Sequence, residues 1–259
     1  MKNQLFAVLA ALLIVQSCGV LSGKFNASSL ADAAGTAMTA LTITDDQIAQ
    51  LSAQTVAYMD STNTIDHGSY DTRLRKLLAN VKSIDGIPVN FKVYRTAEVN
   101  AFACGDGSIR VYSGLMDVMD DAELMAVIGH EIGHVRNKDT KTAMKKTYMT
   151  YAARMAIGSA GGLLGNLSTS VLGDIAQSYL SAQYSQKQEF AADENGFLFS
   201  IEQGYSPYSM YNSLMKLMKL SESSSGSTVT SGISQAFSSH PDTEERAARM
   251  KAAAEAYGK

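Results

Sequence analysis

Two of the chain's four histidines lie four residues apart in "VIGHEIGHVRNKD", residues 127–139, with a glutamate between them. On an α-helix, residues four positions apart lie on one face, one turn above the other. His130 and His134 could therefore both bind one zinc ion, at about 2.0–2.1 Å. Glu131 lies one step round the helix, where it would contact water on the ion. This spacing predicts metal-assisted hydrolysis, with Glu131 as general base.

A second acidic pair lies further along the chain, in "SQKQEFAADENGF", residues 185–197. Glu189 and Asp193 are four residues apart, so they share a face if this stretch is helical. Glu189 would complete a set of two histidines and one glutamate around a single zinc ion per chain. Asp193 would accept the free ring N–H of a ligand histidine and fix its tautomer. Alone, this pair is more simply a solvated helix face; the H-E-x-x-H stretch favours the ligand interpretation.

Both segments, with "NAFACGDGSIRVYSGLM" directly before the histidine pair, resemble the gluzincin zinc metalloendopeptidases of the HtpX and CAAX-prenyl-protease clan. Within that clan the chain is most similar to the periplasmic LoiP and BepA type of lipoprotein metalloprotease. The resemblance covers about residues 44–250. It implies an endopeptidase that cleaves extended or misfolded envelope proteins in quality control. It also implies that the strand carrying Asn100, Ala101 and Phe102 borders the active-site cleft and pairs with substrate backbone.

The same resemblance gives a role to "HPDTEER" near the C-terminus. From the residues alone, His240 is a loop histidine before a helix that Asp242 could cap. The family pattern makes His240 a candidate for stabilising the tetrahedral oxyanion, with Arg246 supporting the oxyanion or a substrate carbonyl. A second hypothesis remains open, in which His240 is a fourth zinc ligand that displaces the water and keeps the protease latent.

The elements that must position these residues are mainly helical. Hydrophobic periodicity predicts an α+β fold, predominantly α-helical, with a small β-sheet, and the resemblance implies a zincin-like domain. The zinc would lie between a helix over 121–137, capped by Asp120, and a helix over 180–199. The other predicted elements are a helix capped by Thr44, a helix over 70–84, a strand within 88–96, and two short strands joined by Gly105–Asp106–Gly107.

The N-terminus has the features of an exported lipoprotein. Residues 1–17 combine Lys2 with an apolar run and are predicted to be a signal peptide. "VQSCG" resembles a bacterial lipobox, which would lipidate Cys18 and anchor the chain to the membrane. Gly19, by resemblance, favours the outer membrane facing the periplasm. The alternative is plain cleavage near Ser17 and release into the periplasm.

The expected domains are therefore a lipid-anchored flexible tether over 18–43 and a zinc metallopeptidase domain over 44–259. Residues 152–173 are long enough to span a bilayer, but polar residues and glycines favour a packed helix pair or a covering loop. Residues 221–239 are rich in Ser, Gly and Thr and predict a long loop. Cys104 is expected to be a buried small residue rather than an interchain thiol.

The net charge of −3 gives no basic footprint, so a nucleic-acid partner is not expected. The expected partners are polypeptide substrates and, through the lipid on Cys18, a membrane. A function of another class also remains open. The chain could act chiefly as an outer-membrane protein assembly or binding factor, contacting the assembly machinery, with a latent or rarely used zinc site.

Overall fold

The computed structural model describes residues 43–156, 167–224, 239–240 and 243–257. The predicted signal peptide, Cys18 and nearly all of the predicted tether lie outside the described residues. So do residues 157–166 of the stretch tested for membrane contact, residues 225–238 of the predicted loop, and Asp242.

Helices dominate the described residues, which confirms the expected α+β, mainly helical fold class. The helices are α1 (Asp45–Thr62), α2 (Ser69–Leu77), α3 (Ser113–Val118), α4 (Asp121–Arg136), α5 (Asp139–Ala156), α6 (Thr169–Leu180), α7 (Gln186–Glu202), α8 (Ser209–Ser224) and α9 (Thr243–Tyr257). The strands are β1 (Ser83–Ile84), β2 (Ile87–Pro88), β3 (Asn90–Tyr94), β4 (Ala101–Ala103) and β5 (Ser108–Tyr112).

Three strands form one small sheet in the order β3-β5-β4. Strand β3 runs parallel to the central strand β5, and β4 pairs antiparallel with β5 on the other side. Strand β4 is therefore an edge of this sheet, and it lies against α4. The main core fills the space between the sheet and α4, where Ile109, Val111, Leu124, Ile128 and Ile132 are buried.

A second buried cluster lies among α1, α5 and α6 and includes Leu51, Met59, Phe102, Tyr148 and Ile175. Cys104 belongs to it and is fully buried, as expected. Among the helices of the described residues, none is both long and apolar enough to cross a membrane.

Several predicted boundaries differ from the structure, each for a local reason. The helix predicted over 70–84 ends at Leu77, and residues 83–88 form the β1–β2 hairpin instead, which Asp85 and Gly86 close with positive φ angles of 49° and 85°. Asp-Gly is a preferred pair for such two-residue turns. The helix predicted over 180–199 begins at Gln186, because the Ser185 side chain caps it. Helix α8 continues to Ser224, so the predicted loop does not start at residue 221.

Other local predictions are confirmed. Thr44 and Gln47 form a reciprocal capping box at the start of α1, and Asp120 and Glu123 form one at the start of α4. The strand within 88–96 and the two strands around Gly105–Asp106–Gly107 are β3, β4 and β5.

Helices α4 and α7 cross closely because small residues face each other at the contact. A Cβ atom added to Gly133 would lie 2.9 Å from the Ala192 Cα atom, and one added to Gly196 would lie 2.6 Å from the Ala126 carbonyl oxygen. Real Cβ atoms do not approach backbone so closely, so larger residues would push the helices apart. Ala192 is fully buried at this contact, whereas the neighbouring Ala191 is exposed.

A partly buried ionic cluster ties α1 to the sheet. Asp60 accepts hydrogen bonds from Arg110 Nε at 2.8 Å, Arg110 Nη2 at 3.0 Å, Tyr94 Oη at 2.7 Å and Lys92 Nζ at 2.6 Å. Burial by itself would raise the pKa of Asp60, but the hydrogen bonds from Arg110, Lys92 and Tyr94 outweigh it and lower the pKa from 3.8 to about 2. The ionised carboxylate is therefore the form that stabilises the fold.

Replacing this carboxylate should destabilise the protein. We expect Asp60→Asn to lower the free energy of unfolding by about 3 kcal/mol, because it leaves the buried Arg110 guanidinium without its ionic partner. Urea unfolding at pH 7 would measure the change. Since the pKa of Asp60 is lowered in the folded state, the difference from the unsubstituted protein should shrink as the pH falls from about 4 towards about 2.

Asp45→Asn is the matched control. Asp45 lies on the same helix and pairs with Lys141, but its side chain is 68% exposed. Its loss should cost less than about 1 kcal/mol. Equal effects of the two substitutions would contradict the structural role of Asp60.

Candidate active site

Helix α4 buries both histidines of the H-E-x-x-H stretch and orients them in the same way. The His130 Nδ1 atom lies 2.9 Å from Asp193 Oδ1, and the His134 Nδ1 atom lies 3.0 Å from Asp139 Oδ2. A carboxylate accepts hydrogen bonds, so each Nδ1 carries the proton and each Nε2 carries a lone pair. The two Nε2 atoms lie 3.1 Å apart, so both lone pairs are directed at one small region.

Glu189 from α7 and His240 reach the same region. Glu189 Oε1 lies 3.6 Å from His134 Nε2, and Oε2 lies 3.6 Å from His130 Nε2. His240 Nδ1 lies 2.9 Å from Glu189 Oε1 and 3.3 Å from His130 Nε2. Ligands at about 2.0–2.1 Å from a tetrahedral zinc ion are separated by about 3.3–3.4 Å. The measured separations are close to that value, and the four side chains could hold a metal ion.

The chemistry of the donors also fits a cation. Two imidazole nitrogens whose lone pairs meet at 3.1 Å repel each other unless a proton or a metal ion lies between them. The buried Glu189 Oε2 atom accepts no hydrogen bond; Arg246 Nη1 lies 2.7 Å away, but not at a hydrogen-bonding angle. A metal ion would satisfy these groups together. Imidazole and carboxylate ligands in a tetrahedral arrangement suit zinc.

The environments of the ligands shift their pKa values in different directions. Burial lowers the pKa of His130, although Asp193 opposes it. Burial acts in the same sense on His134, but the hydrogen bond with Asp139 and the nearby Glu189 carboxylate outweigh it and raise the pKa of His134 to about 9. Burial would raise the pKa of Glu189, but His240 and His134 hold it well below its ordinary value. Glu189 is therefore an ionised ligand, and a metal must compete with a proton at His134.

Glu131 stays outside this set of donors, as its position on the helix predicted. It is 5% exposed, and its Oε1 atom lies 3.8 Å from His240 Nε2. The carboxylate is thus beside the ligand cluster, where it could contact a water molecule bound there.

Arg246 is buried behind the ligands. Its Nε and Nη2 atoms donate to Asp193 Oδ2 and Oδ1 at 2.7 Å and 2.6 Å, and Nη1 donates to the His240 carbonyl oxygen at 3.2 Å. In this arrangement Arg246 holds Asp193 and the His240 backbone in place. Its expected contact with an oxyanion or a substrate carbonyl stays a prediction.

Two further residues complete the site without having been predicted from the sequence. Asp139 begins α5, after a turn in which Lys138 has a φ angle of 60°, and it also accepts a hydrogen bond from Gln188 Nε2 at 2.7 Å. An acidic residue in the first turn of the next helix was the available signal for Asp139. The Tyr184 ring stacks on His134, with centroids 3.9 Å apart and planes inclined by 16°. Nothing in the sequence around Tyr184 pointed to this contact.

Strand β4 presents its free edge beside Glu131. Tyr112 N donates to the Asn100 carbonyl and Cys104 N donates to the Ser108 carbonyl, so the backbone groups of Ala101 and Ala103 point away from β5. The Ala101 N–H is held by Asn100 Oδ1 at 2.9 Å. The Ala103 carbonyl accepts a hydrogen bond from the Tyr179 hydroxyl at 2.5 Å. The Ala101 carbonyl and the Ala103 N–H are thus the outward groups that a substrate strand could meet.

The predicted contact residue Phe102 is arranged differently. Its backbone is paired with Arg110 of β5, and its ring packs edge-on against Tyr112 with an interplanar angle of 83°. It still borders the smaller of two clefts beside Glu131. Its part in substrate binding stays a prediction.

Two clefts lie on either side of Glu131, and both are bordered by Asn100, Ala101 and His240 as well. The larger encloses about 520 Å³, including the part open to solvent, and is here called the apolar cleft. Its apolar lining consists of Val99, Leu115, Val127, Met210, Leu214 and Leu217. The smaller cleft encloses about 330 Å³ and is bordered by Tyr179 and Tyr184. The metal-ligand cluster thus lies at the junction of two clefts along one strand edge.

Comparisons with known proteins agree with this geometry. Residues 67–254 match the model of peptidase family M48. The chain is 43% identical over 204 residues to metalloprotease LoiP of Escherichia coli K12, covering 76% of this chain and 81% of LoiP. It is 37% identical over 249 residues to metalloprotease YcaL of the same organism, covering 93% and 94%. It is 31% identical over 177 residues to a protease HtpX homolog of Salinibacter ruber, covering 59% and 63%.

The family match includes every residue of the ligand cluster, and those residues have the spacing and chemistry of a metal centre. The chain belongs to peptidase family M48 and is a metalloendopeptidase.

Proposed function

We propose that the protein cleaves extended or misfolded polypeptides with one zinc ion held by His130, His134 and Glu189. The observation that supports this most directly is the spacing of the donor atoms, which matches a tetrahedral zinc set, with Glu131 beside it. When bound, zinc lowers the pKa of a water molecule and polarises the carbonyl of the scissile bond.

The side chains of this protein perform the remaining steps. Glu131 takes the proton of the attacking water and passes it to the leaving amine nitrogen. Asp193 and Asp139 hold the ligand imidazoles in the tautomer that leaves Nε2 free. The outward edge of β4, beginning with Asn100 and Ala101, binds substrate backbone as an added strand. Backbone pairing tolerates many sequences, which suits a protease for unfolded chains.

Removal of the general base should separate metal binding from catalysis. We expect Glu131→Gln to retain one zinc ion per chain but to lower kcat on a casein-type substrate by about 10²–10⁴-fold, because the amide cannot accept the proton. Metal analysis and a cleavage assay, with chelator and then zinc added back, would measure both properties.

Glu194→Gln, an exposed position on α7, is the matched control and should keep full activity. Proteolysis that survives in Glu131→Gln, or in chelated protein, would contradict the zinc mechanism.

His240 supports latency in the arrangement described here. Its Nδ1 atom lies 3.3 Å from His130 Nε2 and 2.9 Å from Glu189 Oε1, close enough to bind, in place of water, a metal ion held by the other three ligands. We propose that His240 must withdraw before a substrate is cleaved. The competing role, stabilisation of the oxyanion, would require the same side chain to assist the reaction.

Substitution of His240 decides between these roles. We expect His240→Ala to raise kcat/KM, by about tenfold if the blocked arrangement is favoured by about 1.4 kcal/mol, because the water position is then always accessible. The same assay on His67→Ala, which changes an exposed histidine, should show no change. A severe loss of activity in His240→Ala would refute latency and favour the oxyanion role.

We also propose that the protein acts in the bacterial envelope, attached through a lipid on Cys18 to the outer membrane and facing the periplasm. The sequence "VQSCG" after a signal-like apolar run supports this placement. Mass spectrometry of the mature N-terminus should find an acylated Cys18, and Cys18→Ala should move the protein from the membrane to the soluble fraction. An unmodified N-terminus at another residue would refute the anchor.

The blocked fourth position gives some support to the second function, outer-membrane protein assembly or binding with a rarely used zinc site. Glu131→Gln also separates these functions. The Glu131→Gln variant would be expressed in a strain that lacks the protein and has an envelope defect. Correction of the defect would favour assembly or binding. A defect that persists would favour proteolysis.

A further inference from the structure

The free edge of β4 offers fewer backbone groups than its length suggests. The N–H and C=O groups of both Ala101 and Ala103 point away from β5. The Ala101 N–H is already bound by the Asn100 side chain, whose Oδ1 atom lies 2.9 Å away. At the other end, the Tyr179 hydroxyl donates to the Ala103 carbonyl oxygen at 2.5 Å. Side chains of the protein itself therefore cap the first and the last outward group of this edge.

The packing of the core sets the position of Tyr179. The residue lies in the last turn of α6, and its side chain belongs to the buried cluster among α1, α5 and α6. It is 5% exposed, and neighbours that surround a buried ring restrict it to one rotamer. Burial raises the pKa of Tyr179 well above its ordinary value, so the hydroxyl keeps its proton and remains a donor. The cap on Ala103 is therefore part of the folded core.

The two outward groups that remain free lie on either side of Phe102. They are the Ala101 carbonyl and the Ala103 N–H. A parallel substrate strand would bind both through the N–H and C=O of the one residue opposite Phe102, and an antiparallel strand would bind them through the two neighbours of that residue. In either orientation the pairing is centred opposite Phe102 and ends at Ala103.

The capped carbonyl belongs to the cleft where the substrate would be cleaved. Ala103 and Tyr179 border the smaller cleft together with Glu131 and His240. In strand addition the main-chain hydrogen bonds supply the affinity. A substrate N–H that reaches the Ala103 carbonyl finds this acceptor already bound to Tyr179, so it adds no bond to the complex.

We infer that Tyr179 is a positioning residue that ends the substrate-binding edge at Ala103, so that a peptide pairs with β4 around the residue opposite Phe102 alone. This inference rests on the proposed peptidase function and adds how far along β4 the substrate is held. One more backbone hydrogen bond would tighten binding by about two- to tenfold. By withholding that bond, Tyr179 limits the affinity for an extended chain and speeds the release of cleaved products.

The experiment counts the substrate N–H groups that pair with β4. A peptide with one cleaved bond is made as a series in which each backbone N–H, except that of the cleaved bond, is replaced by an ester oxygen. An ester oxygen cannot donate, so the replacement weakens binding chiefly where the N–H had an acceptor. The Kd values are measured for zinc-loaded, full-length Glu131→Gln, which binds without cleaving, with and without a further substitution of Tyr179.

Removal of the cap should add one pairing position. For Glu131→Gln alone, the ester opposite the Ala101 carbonyl should raise Kd by about tenfold. With Tyr179→Phe added, a second ester, two residues from the first, should become equally sensitive, because the Ala103 carbonyl then accepts that N–H. The spacing of two residues holds for both strand orientations. The all-amide peptide should bind about fivefold more tightly to this double variant.

A kinetic comparison should show the same effect in the cleaving protein. Tyr179→Phe alone should lower KM of the all-amide peptide by about fivefold and leave the single-turnover rate of cleavage unchanged. A hydroxyl that only stabilises the core would change the unfolding temperature without changing KM or the pattern of sensitive esters.

Two further variants support this comparison. Tyr179→Leu removes the ring as well as the hydroxyl, since a Phe ring could still cover the carbonyl. Tyr148→Phe is the matched control, because Tyr148 is fully buried in the same cluster and borders neither cleft. It should keep the Kd values and the pattern of sensitive esters. Thermal unfolding and zinc content would establish that each variant is folded.

The outcomes separate this inference from the proposed function. A pattern of sensitive esters that stays the same in folded Tyr179→Phe and Tyr179→Leu would overturn the cap, even if the protein cleaves peptides as proposed. A new sensitive position that is not two residues from an existing one would also overturn it. The expected change of pattern without any zinc-dependent cleavage by the unsubstituted protein would support the cap and refute the peptidase function.

Discussion

The close crossing of α4 and α7 is the constraint on which the active site depends. Glycines 129 and 133 on one helix meet Ala192 and Gly196 on the other, with no room for a larger side chain. Only at this separation can Glu189 reach the two histidine Nε2 atoms while Asp193 reaches the outer nitrogen of His130. Metal–ligand bonds tolerate errors of about 0.2 Å, so packing that is set by backbone contact suits the task.

This packing also creates an electrostatic demand that a cation would meet. Glu131, Glu189, Asp193 and Asp139 are all buried, and they bring four carboxylates into one small region. Arg246 supplies one compensating positive charge, and it is fully engaged with Asp193, Glu189 and the His240 backbone. Buried charges without partners cost several kcal/mol each, so a divalent cation bound by these donors would stabilise the fold. The same groups thus connect metal binding to stability.

His240 lies where several requirements of the proposed reaction meet. It lies among the metal-ligand candidates, borders both clefts and is tied through its carbonyl to Arg246. A single side chain can therefore affect the attacking water and access of the substrate together. The apolar cleft and the tyrosine-lined cleft both open beside it.

Much of the site followed from the sequence because the relevant interactions are local. The 100° step of a helix places His130 and His134 on one face and Glu131 beside them, and the Asp120 capping box marks where that helix begins. Motif spacing also identified Glu189 and Asp193, although local rules placed the start of their helix several residues too early. Asp85–Gly86 is the opposite case. This pair is a local signal for a two-residue turn, but a helix was predicted over 70–84.

The remaining features depend on contacts between distant segments. Asp139 is near His134 because Lys138 turns the chain between two helices, and Tyr184 stacks on His134 because α7 crosses α4 at close range. The engagement of Arg246 with Asp193 and the lining of the apolar cleft by α8 arise in the same way. The sequence alone determined which side chains can bind a metal and move a proton, because those abilities belong to residue types and helical spacing. Only the tertiary structure decided their partners and the shape of the clefts, because those depend on how closely non-neighbouring backbones pack.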